Sequence, residues 1–423
     1  MKLLEFIETS VSPFHTVESI KTELASAGFQ ELNMQDEWEL KKGQNYMVAP
    51  YRTGIFAFSV GKDFEKEDGF RLAAAHGDFP GFRIKPNPEM NKEGYLVVNT
   101  EVYGSPNLAS WMDRPLSAAG MVALKSKDVF HPELRLLDLK QPFFIIPSLA
   151  IHLNREVNKG VEIKRQIEML PIACMAEENQ KKDWFLSYLA QHLDVEVSDI
   201  LDYELQVYNA DKPLCVGMNQ EFLSAPRLDN VTSVYAITKA LKDGKRNKGI
   251  NLFADFDHEE VGSRSKEGAE SVLISQILEK IYLSLGYTAL DCHNALLNSI
   301  LFSVDVSQGY HPAHGEKFDP TNRSILGKGF SIKQANRQSY VTDTEAIAIV
   351  KQICEKEDIP YQNYLNHSDV LGGSTLGVLA VKNVPVKAVD VGVPMLAMHS
   401  ARELICMRDQ ESMERMLQAY FPL

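Results

Sequence analysis

Two adjacent carboxylates, Glu259 and Glu260, follow an apolar run (Ile250, Leu252, Phe253, Ala254, Phe256) in the stretch NLFADFDHEEVGS. A strand that ends in paired acids offers one carboxylate to a metal and its neighbour to a proton. Three more short apolar runs end on residues of the same kind. Residues 71–75 (RLAAA) lead into His76-Gly77-Asp78, residues 300–304 (ILFSV) into Asp305, and residues 388–398 (AVDVGVPMLAM) into His399. Together they form the ligand inventory of a metal site built from imidazole and carboxylate, with no thiolate. In HGD, His76 can bind a metal while Asp78 orients its ring. Each residue also has a plainer reading. His76 taken alone is a hydrogen-bonded residue at a strand end, and Glu259-Glu260 a solvated turn. Asp229, in SAPRLDNVTSV, is either a helix N-cap or a carboxylate bridging two metals about 3.5–4 Å apart.

The elements that must position these groups are legible as patterns. Continuous apolar runs bounded by turn residues predict buried strands, and open α/β sheets bind ligands outside the carboxyl ends of their strands. Val231, Val234, Tyr235 and Leu241 predict a helix after Asp229. Val272, Leu273, Ile277, Leu278 and Ile281 predict a second, and Ala346, Ile349, Val350 and Ile353 a third. Strands alternating with such helices predict a sheet covered on both faces. Residues 89–217 read differently: 121–125, 134–139 and 143–146 look like strands separated by turns. The expected organisation is therefore an α/β domain formed by 1–88 and 218–423, with a β-rich insertion at 89–217.

Composition narrows the function classes. The chain has 423 residues, 44 % hydrophobic and 24 % charged, which suits a globular protein of two domains or one domain with an insertion. A formal net charge of -13 argues against a nucleic-acid partner, and no stretch has the length of a membrane span. The N-terminus reads as an amphipathic helix ended near Ser12-Pro13, with Glu5 and Glu8 interrupting any signal-peptide core. Five scattered cysteines with no CxxC predict no disulfide framework, and a cytoplasmic location follows as the default.

Beyond these patterns, the chain resembles the M18 family of metallo-aminopeptidases, the aspartyl aminopeptidase family. The resemblance rests on SPFHTVESI, AAHGDFPGFRIKPNP, VYGSPNLASWMDRPLSAAG, PSLAIHLNREVN, SAPRLDNVTS, DFDHEEVGSRS, SVDVSQGYHP, SDVLGGSTLG and GVPMLAMHSARE, in that order. It implies a three-layer α/β/α zinc-peptidase-like catalytic domain with an inserted β-rich dimerisation domain. It also implies two divalent metals, zinc or alternatively manganese or cobalt. His76 and Asp305 would hold one, Glu260 and His399 the other, with Asp229 bridging, Glu259 as general base and Asp78 orienting His76. The family builds a tetrahedral dodecamer in which His152 would reach a neighbour's active site. Peptides would be the substrates.

Departures from the family pattern bear on substrate choice: Gly77 and Phe79 stand for the usual Thr and Ser of HTDSP, Ser105 for a Gly, and Met112 for a Phe. An acidic N-terminal residue would need a cation, for which Lys333 and Arg337 in FSIKQANRQSY are candidates, with His311 nearby in sequence. Each could equally be a solvated side chain. The alternatives are a neutral or broad specificity, or a two-metal carboxypeptidase or deacylase. Hydrolysis by two carboxylates without metal would leave His76 and His399 without a role. A silent assembly protein would be expected to have lost a ligand or the base.

Overall fold

The computed structural model describes residues 1–178, 180 and 182–423, and the chain divides into two compact units. One comprises Met1–Asp78, Pro213–Met398 and Glu403–Leu423, and the other Phe79–Lys212 with His399–Arg402. The α/β and inserted parts expected from sequence had their boundaries at residues 88/89 and 217/218.

The first unit is built on a 12-stranded mixed sheet. At its centre Ile250–Phe256, Phe70–His76, Ile300–Gln308 and Lys387–Leu396 lie side by side and parallel. These are the four apolar runs of the sequence, and they are apolar throughout because both faces are covered. Along Ile300–Gln308, the residues Ile300, Phe302, Val304 and Val306 enter one core and Leu301 the other. The first core is shared with helices Leu3–Thr9, Pro13–Ala25, Leu228–Asp243, Thr344–Glu357 and Met407–Tyr420, and the second with Leu273–Ser284, Ala289–Leu296 and Leu376–Asn383. Helices on both faces make this unit a three-layer α/β/α structure.

Two local expectations differ from the structure. The first helix ends at Thr9, and Ser12 opens a second, its Oγ accepting the His15 amide at 3.4 Å with Pro13 at the first helical position. A Ser-Pro pair can start a helix as readily as stop one, because proline at that position forfeits no helical hydrogen bond. Asp305 lies inside its strand rather than beyond it, since pairing with Lys387–Leu396 continues to Gln308.

The second unit holds a six-stranded antiparallel sheet. Its order is Glu133–Asp138, Leu116–Leu124, Ile200–Asn209, Gly81–Lys92, Tyr95–Tyr103, Ile172–Met175. The run 143–146 forms only isolated bridges, Leu116 to Phe144 and Ile145 to Ile172. Pro142 and Pro147 flank it, and neither can donate to a ladder.

In the first unit the Tyr420 hydroxyl is within hydrogen-bonding distance of the Leu72 and Ile300 carbonyls, at 3.1 and 2.9 Å. Its ring stacks on Phe302 with centroids 4.0 Å apart. Tyr420→Phe keeps the stacking and loses the hydroxyl. It is expected to cost about 1–2 kcal/mol in urea unfolding, with no change in secondary structure by circular dichroism.

Candidate metal centre

The parallel register places Phe256 beside His76, so the ends of two neighbouring strands release their loops at one level. Asp78, fully buried, ties those loops together. Its Oδ1 accepts the Glu259 amide and its Oδ2 the Glu260 amide, both at 3.1 Å. Oδ1 is also 3.3 Å from His76 Nδ1, which lies 3.1 Å from the Asp78 carbonyl oxygen. The His76 ring is thus oriented through Nδ1, and Nε2 turns the other way, 3.6 Å from Asp229 Oδ1 and 3.7 Å from Asp305 Oδ1.

Asp229 sits where helix Leu228–Asp243 has not yet become regular. Arg227 is left-handed at φ 59°, and Asp229 has an extended backbone at φ -80°, ψ 106°. The Asp229–Asn230 peptide bond is cis. Three side chains hold this start in place of a cap. Glu403, buried, accepts the Asp229 amide through Oε2 at 3.0 Å. Asn230 Nδ2 donates to the Val304 carbonyl at 3.0 Å, and Arg227 to the Ile7 carbonyl at 3.1 Å. Sequence reasoning missed Glu403; an acid between Arg402 and the apolar Leu404-Ile405-Cys406 is the signal that could have found it.

Donor atoms of His76, Asp229 and Glu260 all lie within 4.8 Å of one another. One imidazole and two carboxylates, with the ring already aimed by a carboxylate behind it, fit a divalent zinc-type ion. Asp305 adds a third carboxylate on the Nε2 side.

Charge differentiates these groups. Burial opposes a charge on His76, but Asp305 and Asp78 outweigh it and hold the imidazole pKa well above its usual value. A metal bound at Nε2 would therefore displace a proton. For Glu259, burial leads and Asp305, Asp78 and Asp229 add to it, against His76, so its pKa rises to about 8. Burial would raise Asp305 too, but Lys333 and His76 overcome it and hold that carboxylate below the usual range.

Other expected residues stand as follows. Lys333, read from sequence as a candidate substrate cation, is only 3 % exposed, with Nζ 3.1 Å from Asp305 Oδ2. Arg337 is exposed and His311 half-buried. His399 belongs to the second unit, where its Nδ1 is 3.2 Å from the Ser105 carbonyl oxygen. His152 is exposed in that same unit. Phe79 is wholly buried there, and its carbonyl accepts from Gln206 Nε2 at 2.8 Å. The absent side chain of Gly77 has a local explanation: a Cβ would lie 3.1 Å from both Asp255 Oδ2 and Thr16 Cγ2.

The pattern of the Aminopeptidase I zinc metalloprotease (M18) family matches residues 6–421. The chain belongs to the M18 family of metallo-aminopeptidases. It is 43 % identical over 405 residues to the probable M18 family aminopeptidase 2 of Clostridium novyi, covering 95 % of this chain and 94 % of that one. To the protein of the same name from Clostridium acetobutylicum it is 41 % identical over 424 residues, covering 100 % and 98 %. Among solved structures, Ape4 from a cryo-EM complex with Nbr1 superposes with TM-score 0.95 at 30 % identity, over 99 % of this chain and 84 % of that one. The M18 aminopeptidase of Thermotoga maritima, at 23 % identity, shares the fold with TM-score 0.87 over 99 % and 94 %.

Asp78→Asn keeps the shape of the clamp but turns one acceptor into a donor facing a backbone amide. Zinc affinity, read by competition with a chromophoric chelator, is expected to fall about 10- to 100-fold.

Proposed function

We propose that this M18 metallo-aminopeptidase removes the N-terminal residue of peptides at a two-metal centre, with Glu259 as the proton carrier. The observation that carries the reading is the clamp by which Asp78 sets His76 and the Glu259-Glu260 turn side by side. His76, Asp229, Glu260 and Asp305 are the ligands assigned in the first unit, for zinc or alternatively manganese or cobalt. The role expected for His399 rests on the sequence resemblance alone. Bound divalent ions supply Lewis acidity and lower the pKa of a water molecule.

Glu259 supplies the rest of the chemistry. Its carboxylate accepts a proton from the attacking water, and the same group then delivers it to the departing amine. A pKa raised by burial suits this exchange, because the group must gain and lose a proton in each cycle. Glu259→Gln is expected to retain metal, by elemental analysis, while kcat on an aminoacyl arylamide drops about 100- to 10,000-fold. Turnover equal to wild type would end the assignment, and activity surviving exhaustive chelation would end the metal reading. Side-by-side assay of an N-blocked peptide and an N-acyl amino acid separates this reading from a carboxypeptidase or deacylase.

Preference for acidic N-termini is the finer part of the proposal. Among the expected cations, Arg337 is the exposed one, and the preference is assigned to it, with half-buried His311 as the second candidate. Arg337→Ala is expected to lower the ratio of kcat/KM for aspartyl over leucyl arylamides about tenfold or more. An unchanged ratio favours a neutral or broad specificity. A homo-oligomer is also proposed, with His152 serving a neighbouring copy. Its support is the dodecamer named for Saccharomyces mApe1, which has this fold, and the exposed Leu149, Ile151 and Leu153 flanking His152. The five unpaired cysteines suit a cytoplasmic location.

A further inference from the structure

The helix that carries Asp229 begins without a local cap. Strand Phe222–Ala225 runs antiparallel to Glu403–Cys406, with Ala225 opposite Glu403. Pro226 and the left-handed Arg227 then turn the chain into Leu228–Asp243, and Arg227, at the cap position, makes no side-chain capping bond. The Val231 amide reaches the Arg227 carbonyl at 3.3 Å. Asp229 lies before that turn has closed, so its buried amide needs an acceptor from outside the helix. Glu403, 2 % exposed and 174 positions away, provides it, with Oε2 accepting at 3.0 Å.

An acid at the start of a helix ordinarily does the capping itself. Asp is among the favoured cap residues, and a capping carboxylate turns onto the amides of the next turn. Asp229 directs its carboxylate at the centre instead. Its Oδ1 is 3.6 Å from His76 Nε2, and one oxygen lies within 4.8 Å of donor atoms of both His76 and Glu260. The negative group that suits a helix start is supplied from another strand by Glu403. Asn230, fixed by its bond to the Val304 carbonyl, holds the other side of the same residue. We propose that Glu403 is a positioning residue for Asp229: by taking over the helix start it leaves the Asp229 carboxylate to the metal centre and fixes where that carboxylate stands. A carboxylate acceptor suits this task, because charge-assisted bonds are shorter and stronger than neutral ones. The role presupposes the metal centre proposed above.

The test is metal binding by the full-length metal-free protein, compared for wild type, Glu403→Ala, Glu403→Leu and Glu403→Gln. Zn2+ affinity is read by chelator competition, and ligand geometry by the visible absorption of the Co2+-loaded protein. Glu403→Ala removes the acceptor and is expected to weaken Zn2+ about ten- to a hundredfold and to change the Co2+ spectrum. Glu403→Leu, which keeps the volume, is expected to do the same and stands in for Ala if the smaller side chain prevents folding. Glu403→Gln still offers an oxygen to the Asp229 amide and stays within about threefold of wild type, with the wild-type spectrum. Wild-type affinity in the variants lacking an acceptor overturns the proposal. So does an equal loss in Gln and Ala, or a wild-type Co2+ spectrum in an Ala variant whose only change is a lower thermal midpoint without metal. Failure of the wild-type protein to bind either metal is a different result, overturning the metal centre itself.

Discussion

One buried carboxylate, that of Asp78, sets the terms for the centre. A charge removed from water must be met by donors, and those it finds include two consecutive backbone amides and the His76 ring. Consecutive amides point the same way only if the chain turns sharply around them. The turn is made by His258 at φ 62° before the pair and Gly262 at φ 101° after it. The clamp also requires the two strand ends to be level, which the pairing of Phe256 with His76 ensures. Glu259, Glu260 and the His76 ring thus share one anchor.

A second anchor lies one strand over. Val304 and Val306 bury their side chains on one face of the sheet, so the alternation of a strand points Asp305 to the other. Their carbonyls are both taken by side chains next to the centre: Asn230 bonds Val304, and Lys333 bonds Val306. Asp305 therefore lies between two backbone carbonyls that side chains already hold. Asp229 is reached the same way, since Glu403 and Asn230 hold the irregular start of its helix.

Much of this was legible in the sequence because buried parallel strands have an unmistakable composition. Four apolar runs leading into His, Glu-Glu, Asp and His predicted a buried sheet, and all four now lie side by side in the first unit, with His76 at the end of one strand, Glu259-Glu260 just beyond another and Asp305 inside a third. What could not be read was the partner of each polar group. Lys333 has the composition of a solvated turn residue, and nothing in FSIKQANRQSY says that Asp305, 28 positions away, claims its ammonium. Glu403 was hidden for the same reason, since its bond to the Asp229 amide, far away in sequence, leaves no local period. The failure at Ser12-Pro13 and at 143–146 was of another kind: proline marks a break without saying on which side of it the structure lies.

The crowding of acids explains why adjacent carboxylates can take unlike roles. Asp78, Asp229, Glu259, Glu260 and Asp305 converge where water is scarce, and they cannot all be charged without positive partners. Asp305 is provided with one, Lys333, and its pKa is held below the usual carboxylate range. For Glu259, burial and the acids around it outweigh the opposing charge of His76, and its pKa rises to about 8. Environments that push similar groups in opposite directions are what the proposed division between ligand and proton carrier would need. Under the proposed assignment Glu260 engages the metal, and Glu259, whose raised pKa lets it gain and lose a proton, is the group suited to exchange one at each turnover.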